Sequence, residues 1–119
     1  MVAHVAWELV IDCSDPDRLA DFWCVALGYE RFGQVAQYRS IVPAGSGIGP
    51  KVILQQVPEA KTVKNRLHID LAAADIEAEA ERLVAAGATR ARAEPVREFG
   101  IAWILMEDPE GNEFCIVPE

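Results

Sequence analysis

Apolar and polar residues alternate along the start of the chain. Because side chains on a strand point to opposite faces in turn, this period of two predicts a β-strand over residues 4–11. Asp15 and Pro16 then supply a helix cap and a first helical residue, and apolar residues return at helical spacing up to Gly28. The two faces of the strand are Val5, Trp7, Leu9 and Ile11 on one side and His4, Ala6, Glu8 and Val10 on the other.

The rest of the first half has the pattern of three strands. Strand-like segments occur near residues 29–34, 37–42 and 51–57, and a segment rich in glycine and proline at residues 43–50 separates the last two. The first half of the chain is therefore predicted to be a βαβββ module.

The second half repeats this order. Leu67–Leu71 is predicted as a strand, Asp75 as the cap of a helix that ends at Gly87, and three strands are predicted near residues 89–94, 101–106 and 113–117. A shift of 60 residues places Glu8 on His68 and Gln55 on Cys115. The pattern indicates one domain over residues 1–119, built from a module at about 1–60 and a module at about 61–119.

Two paired modules of this kind predict an α+β fold. The tandem βαβββ modules would form a curved eight-stranded sheet or open barrel with the helices on its outer face, which leaves a concave cup for a small molecule. Exposed sheet edges are often closed by a second chain, so a homodimer is expected.

Strand alternation also predicts which side chains face the cup. Leu9, Ile69 and Phe114 would pack on the helix side of their strands. The residues predicted to face the cup are Glu8 in the first strand, His68 and Asp70 in the fifth, Trp103 in the seventh and Cys115 in the eighth. Gln55 joins this set because the repeat aligns it with Cys115.

Composition excludes several classes of protein. The 119 residues carry a net charge of −8 and are 51% hydrophobic and 25% charged, as expected of one soluble globular domain. Without a basic cluster the chain is not expected to bind nucleic acid, and its apolar runs are too short to span a membrane. Three cysteines without finger-like spacing and no secretion signal favour reduced thiols and a cytoplasmic location.

The βαβββ repeat, the segment Arg66–Leu71 and the turn Asp108–Asn112 together resemble the vicinal oxygen chelate superfamily. This superfamily includes glyoxalase I, bleomycin resistance proteins, extradiol dioxygenases and fosfomycin resistance enzymes. The resemblance covers nearly the whole chain and is closest to the small glyoxalase-like branch.

The resemblance implies a set of metal positions, one on each of four strands, which fall here on Glu8, Gln55, His68 and Cys115. Cys115 stands where the family has a carboxylate, and Gln55 replaces a second one. No metal or other cofactor is therefore expected, and the alternative is a zinc ion held by Glu8, His68 and Cys115. An extradiol dioxygenase is disfavoured because its iron needs two histidines and a carboxylate, and of the two histidines here, His4 and His68, the first lies near a terminus that is expected to fray.

The expected function is that of a protein like the bleomycin resistance proteins, which binds a small organic ligand in the cup. The predicted ligand contacts are Gln55, His68, Asp70, Trp103 and Cys115. The alternative is a glyoxalase-like lyase or isomerase in which His68 and Glu8 transfer protons. The sequence leaves the choice between binding protein and enzyme open.

Overall fold

The computed structural model describes residues 5–119, which contain two helices and nine strands. His4, which was predicted to begin the first strand, lies outside the described residues. The chain divides into two compact units, Met1–Ala60 and Lys61–Glu119. That the two units act as one domain stays a prediction. Neither helix in the described range is long and apolar enough to cross a lipid bilayer.

The first unit is a four-stranded sheet covered by one helix. Its elements are β1 (Glu8–Cys13), α1 (Pro16–Leu27), β2 (Tyr29–Val35), β3 (Tyr38–Pro43) and β4 (Lys51–Gln56). The strand order is β1-β4-β3-β2, with β1 and β4 parallel and the other pairs antiparallel. The side chain of Asp15 caps α1 by accepting a hydrogen bond from the Arg18 amide at 3.1 Å. Gly28 ends the helix in the left-handed conformation, at a φ of 69°.

The core of the first unit lies between α1 and the sheet. Phe22 and Trp23 of the helix are buried and meet edge to face, with ring centroids 5.2 Å apart. Leu54 of β4 and Ile41 of β3 are fully buried beneath the helix. In β1, Glu8, Val10 and Asp12 are exposed while Leu9 and Ile11 are half-buried, which is the predicted alternation. The strand is shorter than predicted, because Val5 and Trp7, expected on the same face as Leu9, precede it and are exposed.

The second unit has the same arrangement with one extra strand. Its elements are β5 (Asp70–Ala73), α2 (Ile76–Ala85), β6 (Thr89–Arg90), β7 (Val96–Glu98), β8 (Ile101–Glu107) and β9 (Glu113–Pro118). The strand order β5-β9-β8-β6 matches that of the first unit, and β7 pairs with the start of β8. The side chain of Asp75 caps α2 by accepting from the Ala78 amide at 3.0 Å. The α+β class and the tandem βαβββ order are therefore confirmed.

The second unit departs from the sequence prediction at two places. Strand β5 begins at Asp70 rather than Leu67, because in its register with β9 Leu67 would have to pair with Asn112, a residue of the turn. His68 therefore precedes the strand. The strand predicted over 89–94 is only two residues long, and the chain forms β7 instead after Pro95, whose missing N–H interrupts sheet pairing.

The turn between β8 and β9 is built around a buried aspartate. Asp108 is 3% exposed, and its Oδ1 accepts hydrogen bonds from the Glu110 amide at 2.8 Å and the Asn112 amide at 3.0 Å. Gly111 supplies the positive φ, at 85°, that the tight return requires. The turn predicted from the sequence is thus confirmed, and it sets the register of β9 against β8.

Replacing Asp108 with alanine should lower the free energy of unfolding by about 2 kcal/mol, because the buried turn amides lose their acceptor. Urea unfolding followed by circular dichroism measures the change. The control is Glu59→Ala, which removes an exposed carboxylate and should change the free energy by less than about 0.5 kcal/mol. Equal effects of the two substitutions would contradict this role of Asp108.

Candidate functional site

A cavity of about 540 Å³ lies on the face of the second sheet opposite α2. Strand β8 contributes Ile101, Trp103 and Leu105, and β9 contributes Glu113, Cys115 and Val117. The remaining lining residues are Lys64, His68, Asp70 and Phe99. The cavity is therefore lined by three strands, by the segment before β5 and by the turn between β7 and β8.

Strand alternation explains why these side chains face the cavity. In β8, Ile104 and Met106 are fully buried on the side of α2, which leaves Trp103 to the other face. In β9, Phe114 and Ile116 are buried in the same way. Because side chains on a strand point alternately to opposite faces, Cys115 faces the cavity, as the sequence pattern predicts, and Glu113 and Val117 lie on the same face.

Three of the predicted site residues come together at one end of the cavity. The Nε2 atom of His68 lies 3.3 Å from an Asp70 carboxylate oxygen. Asp70 is paired with Cys115 across the parallel strands, and the Cys115 amide donates to the Ile69 carbonyl at 3.0 Å. The potential ligand atoms of His68, Asp70 and Cys115 all lie within 4.8 Å of one another.

The environment of Cys115 keeps its thiol protonated. Burial raises the pKa of this thiol, the negative charge of Asp70 raises it further, and Lys64 acts weakly in the other direction. The nucleophilic form of cysteine is the thiolate. Cys115 in this state is a small wall residue of the cavity, with a polarisable sulfur atom.

Glu113 holds residues 61–65, the segment that leads to His68, against β9. Its carboxylate accepts hydrogen bonds from Lys61 Nζ and from the Asn65 amide, both at 3.0 Å. Burial acts to raise its pKa, but these hydrogen bonds outweigh burial and lower the pKa of Glu113 to about 2. Strand alternation puts Glu113 on the same face as Cys115 but does not indicate this role. The feature of the sequence that could have indicated this role is the polar segment 61–65 before His68.

A strained turn forms one rim of the cavity. Phe99 and Gly100 connect β7 to β8 as a two-residue hairpin loop, with φ values of 54° and 77°. Such loops favour asparagine and glycine, so phenylalanine in the left-handed region is strained. The Phe99 side chain is 94% exposed and lines the cavity. Gly100 was the only feature of the sequence that indicated a turn at this place.

The first unit contains the other two predicted site residues, Glu8 and Gln55. The Glu8 carboxylate forms an ion pair with Lys51 at 2.8 Å. Gln55 lies on the same face of the sheet, but it pairs with Asp12 near the other end of the two strands. Each residue thus has its neighbours within its own module, and a site that combines them with His68 stays a prediction.

The two modules differ in strand register. Val10 pairs with Ile53 in the first unit, and Asp70, which lies 60 residues beyond Val10, pairs with Cys115 in the second. The buried Val52 of β4 accordingly corresponds to Phe114 of β9, a shift of 62 residues. By strand pairing, Ile53 rather than Gln55 occupies the place of Cys115.

The tandem βαβββ order, with a cavity on the helix-free face of a module, defines a protein of the vicinal oxygen chelate class. The sequence profile of the glyoxalase-like domain matches residues 8–117. The chain therefore belongs to the glyoxalase-like domain family. No match was found among curated proteins.

Solved structures of this superfamily have the same fold. A glyoxalase/bleomycin resistance protein/dioxygenase superfamily member from Sphaerobacter thermophilus is 24% identical, with a TM-score of 0.69 over 99% of this chain and 98% of that chain. A family enzyme from Burkholderia phytofirmans is 16% identical, with a TM-score of 0.74 over 93% and 95%. The fosfomycin resistance protein FosX from Listeria monocytogenes is 13% identical, with a TM-score of 0.74 over 100% and 95%.

The divalent ion of the superfamily's metal enzymes does not fit the residues found here. A hard ion needs carboxylate oxygens, but the fourth strand offers the Cys115 thiol, whose pKa is raised by burial. The carboxylate of Glu8 is paired with Lys51. Gln55 pairs with Asp12, which lies four residues along β1 from Glu8, so Gln55 and Glu8 are not neighbours in the sheet. The four inherited positions therefore do not form a hard-metal site of the usual composition.

Acid should weaken the fold through Glu113. Because the pKa of Glu113 is about 2, below its ordinary value of 4.5, its contribution is complete above pH 4.5 and is lost as the pH falls towards 2. The Glu113→Gln variant should be less stable than the wild type by about 1 kcal/mol at neutral pH, because solvent screening reduces the effect of the pKa shift. This difference should shrink between about pH 4.5 and 2.

Urea unfolding at a series of pH values measures both proteins. Glu59→Gln, a change at an exposed carboxylate, is the matched control and should follow the wild type throughout. A difference between the wild type and Glu113→Gln that stays constant as the pH falls would show that the ionised carboxylate does not fasten this segment.

Proposed function

We propose that the cavity of the second module binds a small organic molecule with a flat apolar body and an uncharged, hydrogen-bonding head. The observation that carries the proposal is the cavity itself, because apolar side chains form its wall and polar side chains gather at one end. Its volume of about 540 Å³ falls within the range of small-molecule sites, about 300–1,000 Å³.

The apolar wall suits a ring. Trp103 is half-buried and presents its indole to the cavity, next to Leu105 and Val117. An aromatic side chain offers a large flat contact area and stacks on planar groups. Phe99 extends this surface at the rim. A ligand with an aromatic or similarly flat body is therefore expected.

The polar end suits a head that both donates and accepts hydrogen bonds. His68 can do either, and the Asp70 carboxylate accepts. An anionic head would be repelled by Asp70, although Lys64 offsets part of this charge, and the Glu113 charge is already paired with Lys61. Since the whole chain also carries a net charge of −8, the head is expected to be uncharged.

The superfamily relationship supports binding of a small organic molecule. One structure of FosX, 12% identical to this chain, is a complex with Mn(II) and 1S,2S-dihydroxypropylphosphonic acid. Other similar structures are described as glyoxalase/bleomycin resistance proteins. The ligand proposed here differs from the phosphonic acid in charge, because the site carries carboxylates and a thiol.

Proton transfer is the second candidate function, and the contact between His68 and Asp70 favours it. A carboxylate 3.3 Å from an imidazole can orient the ring for proton transfer. Such a protein would be a glyoxalase-like lyase or isomerase. Glu8, the partner expected from the sequence, remains a proposed contributor. Exchange of an acidic C–H proton of a bound ketone for deuterium, lost in His68→Gln, would support this function.

Replacing Trp103 with alanine should weaken binding of phenylnaphthylamine, a neutral flat fluorescent probe, by about tenfold, because the stacking surface is lost. A fluorescence titration measures the dissociation constant. The control is Val84→Ala, which shortens an exposed side chain of α2 in the same module and should leave affinity unchanged. Equal affinities of wild type and Trp103→Ala would place binding elsewhere.

Replacing Phe99 with asparagine should stabilise the fold by about 0.5–1 kcal/mol, because asparagine tolerates the left-handed conformation better. The same change should weaken binding of phenylnaphthylamine about threefold, since it removes an apolar group from the rim. Urea unfolding and fluorescence titration measure the two effects. Phe99→Leu, which keeps an apolar side chain, should largely retain affinity. A stability gain with unchanged affinity would exclude Phe99 from the binding surface.

A further inference from the structure

We infer that the polar end of this cavity is a site for one thiophilic divalent ion, with zinc as the best match, held by His68, Asp70 and Cys115. The inference deepens the proposed function and rests on it in one respect, because the ion would lie in the same cavity as the organic ligand. It differs from the inherited pattern of one ligand from each of four strands, since all three groups belong to the second module.

The distances are close to those of a tetrahedral site. Zinc binds nitrogen and oxygen at about 2.0–2.2 Å and sulfur at about 2.3 Å, so neighbouring ligand atoms lie about 3.3–3.6 Å apart. The His68 and Asp70 atoms are already 3.3 Å apart. The Cys115 sulfur lies within 4.8 Å of both. A shift of roughly 1 Å, which a change in side-chain torsions can provide, completes the three-ligand geometry.

The backbone holds these three residues in place without an ion. Asp70 and Cys115 are direct partners on adjacent parallel strands, and the Cys115 amide is bonded to the Ile69 carbonyl at 3.0 Å. His68 precedes Asp70 by two residues and lines the same cavity. The segment before His68 is held by the hydrogen bonds between Asn65 and Glu113. Little ordering of the chain is therefore needed on binding.

The donor set selects the ion. One sulfur, one nitrogen and one oxygen suit zinc, whereas magnesium, calcium and manganese prefer oxygen ligands. On binding, the Cys115 thiol gives its proton to the solvent and its sulfur bonds to the ion. Lys64 also lines the cavity and its positive charge disfavours the ion, whereas the negative charge of Asp70 favours it. The Glu113 carboxylate is already paired with Lys61.

Three protein ligands leave a fourth coordination position. The fourth position is open to a ligand in the cavity, because all three protein ligands line it together with Trp103 and Leu105. A lone pair on an oxygen or nitrogen of the organic ligand's head can occupy this position. The ligand class then narrows to flat molecules with a neutral metal-binding oxygen or nitrogen at one end.

The test is a titration of the metal-free full-length protein with Co²⁺, which substitutes for zinc and absorbs light. A thiolate-to-cobalt charge-transfer band should appear in the near ultraviolet and reach its limit at one ion per chain. Zinc should abolish the band by competition. A second readout is the zinc dissociation constant, measured by competition with a chromophoric chelator.

Single substitutions identify which residues bind the ion. Cys115→Ser should lose the charge-transfer band, and Asp70→Asn should weaken zinc binding at least about tenfold. Asp70 is exposed, so its variant is expected to fold even if Cys115→Ser does not. Cys24→Ser, which removes a thiol on α1 in the other module, is the control and should retain both band and affinity.

Two results would overturn the inference. One is a cobalt complex without a thiolate band in the wild type, and the other is unchanged zinc affinity in Asp70→Asn. Trp103→Ala separates this inference from the proposed function, because it should weaken phenylnaphthylamine binding without affecting cobalt. If the protein binds phenylnaphthylamine but no metal ion, only the proposed ion site is contradicted. If it binds a metal ion but not phenylnaphthylamine, only the proposed binding of an organic ligand is contradicted.

Discussion

The parallel pairing of β5 with β9 is the constraint on which the second module depends. With Asp70 opposite Cys115, the helix side of both strands receives the apolar residues, and the other side receives a carboxylate and a thiol. A shift of one residue would exchange the two faces of β9. The buried turn at Asp108 supports this register from β8, because it determines where β9 begins.

The two modules share a topology but differ in the chemistry of their open faces. Both have the strand order of a βαβββ unit, and both helices begin at a capping aspartate. Their parallel strand pairs differ in register by two residues, which preserves the alternation of faces while changing which side chains become neighbours. Glu8 consequently meets Lys51 in one module, and Asp70 meets Cys115 in the other. The two modules therefore share a fold but carry different side chains at corresponding places on their open faces.

The cavity is lined at the expense of local stability. Phe99 is held in a backbone conformation that phenylalanine rarely adopts and is almost fully exposed. Burial and, second, the charge of Asp70 raise the pKa of the Cys115 thiol, so a neutral thiol stands beside a carboxylate on this face. The ionised Glu113 offsets part of this by fastening the segment before His68. Strain and polar groups concentrated at one face of an otherwise regular module are typical of a binding site.

The sequence by itself determined the parts of this protein that depend on local patterns. Residue type and periodicity predict the caps at Asp15 and Asp75, the turn at Asp108 and the faces of β8 and β9. These features together also indicate the family. Tertiary structure alone decided that β5 begins at Asp70, that Cys115 is the strand partner of Asp70, and that Phe99 forms the cavity rim. The first two features depend on the register between strands far apart in the chain, and periodicity determines the faces of a strand but not its partners.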